Sequence, residues 1–209
     1  MSVRTLWQVA RSTLIAREQV GFVPNKNVYC LAQILAIYLT LYASVNGSGA
    51  SVAFPGTEKS WCNHFNHSSQ DMKPRFSIHA SLNPDKVGTG AAYNVCDEEA
   101  PTSWSKLWPV ICAYFGLEGT GPAPDATQPD EFVQKYQRRW AQIIEPNGLR
   151  DVGAGKQGLW NMVKSDLDFD RPVDIGLSRK VGFHDSIEDG GAFVFSLIAF
   201  GKRGLFRKA

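Results

Sequence analysis

The sequence predicts an α/β protein of the kind found as the variable lobe of an α/β enzyme, not a complete doubly wound sheet. Three observations lead there. Short strand-like segments alternate with helix-like ones, and the strands are few. One segment, residues 28–45, carries Leu31, Ile34, Leu35, Tyr38, Leu41 and Tyr42 at spacings of three and four, the period of an amphipathic helix. A composition of 44% hydrophobic and 20% charged residues over 209 positions suits one well-cored globular domain.

Taken in order, residues 1–19 are weakly patterned and read as a short amphipathic helix. Val20-Gly21-Phe22-Val23-Pro24 reads as the end of a buried strand, stopped by its proline, and Asn25-Lys26-Asn27 is turn chemistry. The helix over 28–45 ends at Asn46-Gly47-Ser48-Gly49, where glycine serves a left-handed cap. Val52-Ala53-Phe54-Pro55-Gly56 reads as a strand and turn, with a second strand around Trp61 to Phe65. Ser68-Ser69-Gln70-Asp71 starts a helix bearing Phe76, Ile78, His79 and Leu82. Ala91 to Cys96 reads as a strand. Thr102 or Ser103 caps a helix with Trp104, Leu107, Trp108, Ile111, Tyr114 and Phe115, closed by Gly116. The glycines and prolines of 116–129 make it a loop. Helices follow at about 130–145 and 157–167. Asp168 to Gly182 is irregular and polar, and a last helix runs from about Ile187 to Gly201.

Charge and cysteine usage exclude several classes. With 22 basic and 20 acidic residues the net charge is +2, and no basic stripe appears, which argues against nucleic acid and anionic membrane as partners. Lys202, Arg203, Arg207 and Lys208 read as a solvated helix end. The apolar run from Leu31 to Val45 is too short to span a bilayer. The opening residues are broken by charges, unlike a secretory signal, so a cytoplasmic, reducing setting with free thiols is expected. The sequon Asn66-His67-Ser68 then has no role.

Three motifs carry potential chemistry. Gly153-Ala154-Gly155-Lys156-Gln157-Gly158 is a literal G-x-G-x-x-G. It lacks the buried strand before it that would deliver a phosphate to a helix N-terminus, and reads as a helix–helix connection. Cys62-x-His64-x-x-His67, with Asp71 nearby, offers ligand types but no standard zinc spacing, so no metal is expected. A Tyr-x-x-x-Lys pair would let a tyrosine steady an oxyanion while a lysine lowers its pKa. None of Tyr29, Tyr38, Tyr42, Tyr93, Tyr114 and Tyr136 has a lysine four residues on, and no catalytic residue is assigned.

Several segments, in order, resemble one family: Gly21-Phe22-Val23-Pro24-Asn25, Leu31-Ala32-Gln33, Phe54-Pro55-Gly56-Thr57-Glu58-Lys59-Ser60-Trp61, Ser68-Ser69-Gln70-Asp71, Tyr93-Asn94-Val95 and Trp104-Ser105-Lys106-Leu107-Trp108-Pro109. Asp168-Phe169-Asp170-Arg171 and Ser178-Arg179-Lys180-Val181-Gly182-Phe183 complete the set. They are similar to the progesterone 5β-reductase/iridoid synthase-like (PRISE-like) branch of extended short-chain dehydrogenase/reductases, above all its fungal members of secondary metabolism. The resemblance implies the C-terminal, substrate-binding half of a NAD(P)-binding Rossmann-like fold, with the N-terminal Rossmann half truncated. It divides the chain into a divergent segment, 1–20, and a lobe over 21–209 with the last strands of the sheet. The Arg-Pro that opens the family's strand before Gly-Phe is absent; Ala16-Arg17-Glu18-Gln19 stands there instead.

The resemblance further implies NADP(H) as cofactor and hydride delivery to an activated C=C bond. The family's glycine-rich turn, tyrosine and lysine all lie before the segment matching Gly21. Gln19, Lys26, Asn27 and Val28 would face the cofactor. Phe22, Tyr29, Trp61, Phe65 and Trp160 would line the substrate pocket, against plain core packing as the simpler role. The expected function is a reductase acting on an enone-like or related small natural product. The alternatives are a cofactor-independent cyclase or isomerase using the retained pocket, and a non-catalytic truncated homologue. The partner expectations are a small-molecule substrate and either a homo-oligomer or pairing with a full-length homologue.

Overall fold

The computed structural model describes residues 13–15, 19–20, 31–88, 90–144, 168–187, 194 and 197–198. Their strands form three parallel pairs. β1 (Thr13–Ile15) runs beside β5 (Ala92–Asn94) with Leu14 opposite Tyr93. β2 (Gln19–Val20) runs beside β4 (Ser68–Ser69) with Gln19 opposite Ser68. β3 (Ser51–Ala53) runs beside β6 (Glu118–Thr120) with Val52 opposite Gly119. The helix read within residues 1–19 is therefore corrected: 13–15 and 19–20 are extended, and strand pairing overrides a weak helical pattern.

Helix α1 (Leu31–Asn46) is apolar on nearly every side, with Ala32, Leu35, Ala36, Leu39 and Leu41 all but inaccessible, as a helix inside a core must be. It ends where Gly47 takes a φ of 88° and its N–H bonds Ala43. The strand read around Trp61 to Phe65 is instead α2 (Glu58–Cys62) followed by extended chain. A reciprocal capping box decides it. Thr57 Oγ1 accepts from the Ser60 N–H at 3.0 Å, and Ser60 Oγ accepts from the Thr57 N–H at 2.9 Å. Phe65 makes only isolated bridges, to Thr102 and Arg171.

Helix α3 (Met72–Leu82) begins after β4, so Ser68 and Ser69 are strand residues and not helix starters. Met72, Phe76 and Ala80 face inward, while Ile78 and Leu82 are exposed. The short α4 (Pro84–Val87) follows. Helix α5 (Trp104–Tyr114) buries Trp104, Leu107, Trp108, Ile111 and Cys112, as the spacing predicts. The loop read over 116–129 contains β6, because Gly119 lies so close to α5 that an added Cβ would come within 2.9 Å of the Trp108 carbonyl oxygen. The single helix read at 130–145 is two, α6 (Pro129–Lys135) and α7 (Gln137–Ile144), broken at Tyr136. The irregular stretch 168–182 contains one turn of helix, α8 (Gly176–Lys180). The helix at 157–167 and the glycine motif at 153–158 lie outside the described residues. So does most of the last helix, although 194 and 197–198 are helical.

Two cores result. The first gathers α1, β3, α5, α6, α7 and Leu197 around Phe54, Trp104 and Trp108. The second gathers Met72, Phe76, Tyr93, Val95, Val181 and Phe183. No helix among the described residues is long and apolar enough to cross a membrane. Trp108 is fully buried, and its indole N–H donates to the Val52 carbonyl at 3.1 Å. Truncation to alanine opens a cavity beneath β3. Trp108→Ala is expected to cost about 3–5 kcal/mol, read as a drop in the urea midpoint at unchanged slope.

Candidate functional site

The site builds outward from β2 and β4. Gln19 and Val20 form the described part of a parallel strand in register with Ser68 and Ser69. Ligands of α/β sheets bind at the carboxyl ends of such strands. Gln19 is the first described residue of β2 and is placed through its backbone alone. Lys26, Asn27, Val28, Phe22, Tyr29 and Trp160 lie outside the described residues.

Trp61 and Phe65 come into one aromatic cluster. The half-buried Trp61 ring stands on α2, 5.2 Å from Phe54, and packs beside Gly121. Phe54 lies 5.5 Å from Trp104, and Trp104 lies 5.7 Å from Phe65. Phe65 is buried within the cluster, and Trp61 stands at its edge. The Arg171 guanidinium stacks over Phe65 at 4.6 Å and donates to the Phe169 carbonyl at 3.1 Å. Two acidic residues fix the chain beside it. Asp170 accepts from the His64 N–H at 2.7 Å, and Asp168 accepts from Thr57 at 3.2 Å and pairs with Lys59 at 3.7 Å.

Next to the cluster runs a buried polar seam. His67 Nε2 and Asp97 Oδ2 are 3.6 Å apart, both nearly inaccessible. Asp97 Oδ1 accepts from the Ser69 N–H at 2.8 Å, and its backbone N–H donates to the His67 carbonyl at 3.0 Å. The Asp97 carbonyl accepts from Ile187 at 2.9 Å, tying in the C-terminal segment. Ser68 Oγ donates to the Val95 carbonyl at 2.5 Å. Asn66, the sequon residue, is buried and spends its amide on Glu98 and Val173. Burial pushes the Asp97 carboxyl above the ordinary aspartate range, opposed by the Ser69 N–H and His67 and reinforced by Asp71. An imidazole–carboxylate pair has the chemistry to hold a proton, but this one is enclosed and crosslinks β4, the chain after β5 and the C-terminal segment.

Sequence reasoning missed Asp97, whose only signal is its place thirty residues downstream of His67 in the fold. Cys62, His64 and His67 diverge: Cys62 and His64 are exposed, and His67 is enclosed. Among the described residues no three His, Cys, Asp or Glu side chains are placed to hold a metal ion. The Cys96 thiol is pushed up to about 11 and that of Cys112 higher still, mainly by burial, so neither is a thiolate at neutral pH.

Comparison with known proteins supplies the frame. Residues 7–198 match the PRISE-like Rossmann-fold domain family. The chain belongs to this PRISE-like family of short-chain dehydrogenase/reductases. The matched span opens upstream of Gly21 and takes in both N-terminal strands. The chain is 31% identical to short chain dehydrogenase sirR of Leptosphaeria maculans over 80% of its own length and 44% of that protein. It is 29% identical to short chain dehydrogenase ausT of Aspergillus calidoustus, over 83% and 43%. It is 23% identical to 3-oxo-Delta(4,5)-steroid 5-beta-reductase of Arabidopsis thaliana, over 90% and 46%. The chain thus spans less than half the length of these curated relatives. Membership of a Rossmann-fold family implies nucleotide cofactor binding, and the three parallel strand pairs are the local form of that fold.

The seam yields a pH test. A native Asp97 with a raised pKa holds its proton over a range where the unfolded chain has lost it. Stability therefore falls as pH rises from the ordinary aspartate range through the native value. Asp97→Asn keeps an acceptor for the Ser69 N–H and is expected to flatten that slope in urea titrations run at a series of pH values. Asp97→Ala leaves the N–H unpaired and is expected to cost about 1–3 kcal/mol.

Proposed function

We propose that the chain supplies the substrate-binding part of an NADP(H)-dependent reductase acting on an enone-like small natural product in fungal-type secondary metabolism. The observation that carries this reading is the family match over residues 7–198. It is joined by similarity to short chain dehydrogenases and to a reductase whose name specifies a 3-oxo-Δ4,5 steroid, an enone. Bound NADPH would supply a hydride to the β-carbon of the conjugated C=C bond, becoming NADP+, while the α-carbon takes a proton.

On this reading the protein's own residues bind and orient. Gln19 stands on β2 in register with Ser68 of β4, and Gln19, Lys26, Asn27 and Val28 would face the nicotinamide–phosphate portion, as the family resemblance implies. Lys26 would match phosphate charge. Phe22, Tyr29, Trp61, Phe65 and Trp160 would form the apolar walls, with Phe65 stiffened by Trp104 and Arg171 from behind. No tyrosine of the 209 residues has a lysine four on, so the proton-handling pair of the reaction is not assigned within them.

Calorimetric titration of NADPH into the chain is expected to give saturable heat, weakened at least about tenfold in Lys26→Ala. Progesterone, a 3-oxo-Δ4 steroid, serves as the enone probe and is expected to quench Trp fluorescence more strongly when NADPH is present. Conversion of an enone with no NADPH binding would overturn the reductase reading in favour of cofactor-independent isomerisation or cyclisation.

A further inference from the structure

Away from Trp61, Phe65 and the β2 end, a cleft of about 540 Å³ opens between α1, α6 and the β3–β6 strand pair. That volume lies within the range of small-molecule sites, roughly 300–1,000 Å³. Its two sides differ in kind. One wall is a continuous series of rings. Tyr42 stacks on Phe132 with centroids 5.0 Å apart and planes 29° from parallel, Tyr38 meets both edge-on, and Tyr136 adjoins Phe132 at 4.6 Å. The opposite side carries small residues, Ser51 and Ala53 from β3, Thr120 from β6, then Ala123, Ala126 and Thr127. Rings facing small side chains leave a slot, and a slot walled by ring faces and edges suits a flat molecule.

The wall is built in advance. Tyr42 Oη donates to the Ser51 carbonyl at 2.8 Å, tying α1 to β3 beside the cleft. Tyr38 and Phe132 are buried in the first core, so their rings have no freedom to lose on binding. Burial raises the pKa of both Tyr38 and Tyr42, which keeps the phenols neutral. Among the described residues the charged side chains lining the cleft are Asp125 and Lys135, one of each sign, both exposed. Their charges offset each other, so the site selects for neither anion nor cation. Asn46 and Thr120 supply polar groups at the rim.

We infer that this cleft is a second ligand site, taking a flat, uncharged, ring-bearing small molecule with a hydrogen-bonding oxygen. It is lined by none of the residues assigned to the cofactor or substrate, and it functions without either. Ala126 stands on the irregular stretch after β6, where a larger side chain fills the slot without entering the core.

The test uses 2-naphthol with the full chain, by calorimetry and saturation-transfer NMR, without NADPH. Saturable binding is expected. It should weaken at least about tenfold in Ala126→Phe and in Tyr42→Ala, and stay within about twofold in Ile78→Ser, which alters an exposed apolar residue on α3. Thermal melts establish which variants are folded; should Ala126→Phe not fold, Tyr42→Ala carries the comparison. The assignment is overturned if 2-naphthol shows no saturable binding. It is equally overturned if a folded cleft variant binds like the parent, or if Ile78→Ser weakens binding as much as the cleft variants.

Discussion

The indole of Trp108 lies fully buried under the β3–β6 pair, with its N–H held by the Val52 carbonyl. Everything in the first core is arranged around that contact. A two-stranded parallel pair has little cohesion of its own, because parallel sheets need cover on both faces. α5 provides the cover on one face, and the Trp108 hydrogen bond satisfies a strand carbonyl at the same time. The approach is close enough that only glycine fits at 119. Phe54, next along from β3, sits 5.6 Å from Trp108 and 5.5 Å from Trp104, which carries the packing to Phe65 and Trp61.

The second core, around Phe76, Tyr93 and Phe183, is joined to the first by polar contacts. Arg171 reaches the Phe65 ring from the C-terminal segment, while Asn66, His67 and Asp97 bond across to backbone groups. Buried polar contacts of this kind demand a single geometry, since each misplaced partner leaves an unpaired group in a place without water. An apolar seam would tolerate sliding between the two halves; this one does not. The consequence for the site is positional. β4 is held in register by the Asp97–Ser69 bond, and β2 with Gln19 takes its place from β4.

Where the chain repeats a strong local pattern, the structure was legible in the sequence. α1 and α5 follow from their three-and-four spacings, and β3 and β5 from their β-branched and aromatic residues flanked by turns. The misreadings have definite causes. The Thr57–Ser60 capping box lies inside a segment whose aromatics suggest a strand, so α2 was obscured. β6 consists of Glu118, Gly119 and Thr120, a composition typical of loops. It becomes a strand only because β3 and Trp108 are there to receive it. Tyr136 breaks a helix whose hydrophobic period runs straight through it. The family was readable because its segments recur in order along most of the chain. Of the candidate site, Trp61 and Phe65 were legible as aromatics in matching segments. The His67–Asp97 pair was not, because two residues thirty apart carry no mutual signal until the fold places them together.

The same physics separates what the two polar-aromatic regions do. The seam at His67 and Asp97 is closed, and its bonds join one piece of chain to another, so its chemistry is spent on holding β4 and, through it, β2. The cleft at Tyr42 and Phe132 is open, and the bond from Tyr42 to the Ser51 carbonyl fixes the Tyr42 ring at its edge. A closed polar network fixes geometry, and an open aromatic slot built on a rigid core receives a ligand. The Rossmann-like frame itself dictates neither outcome, since function resides in sites placed on folds. What distinguishes the regions is the size of the residues opposite the rings. Trp104 packs against Phe65, whereas small residues, Ala53, Ala123 and Ala126, line the cleft with Tyr42.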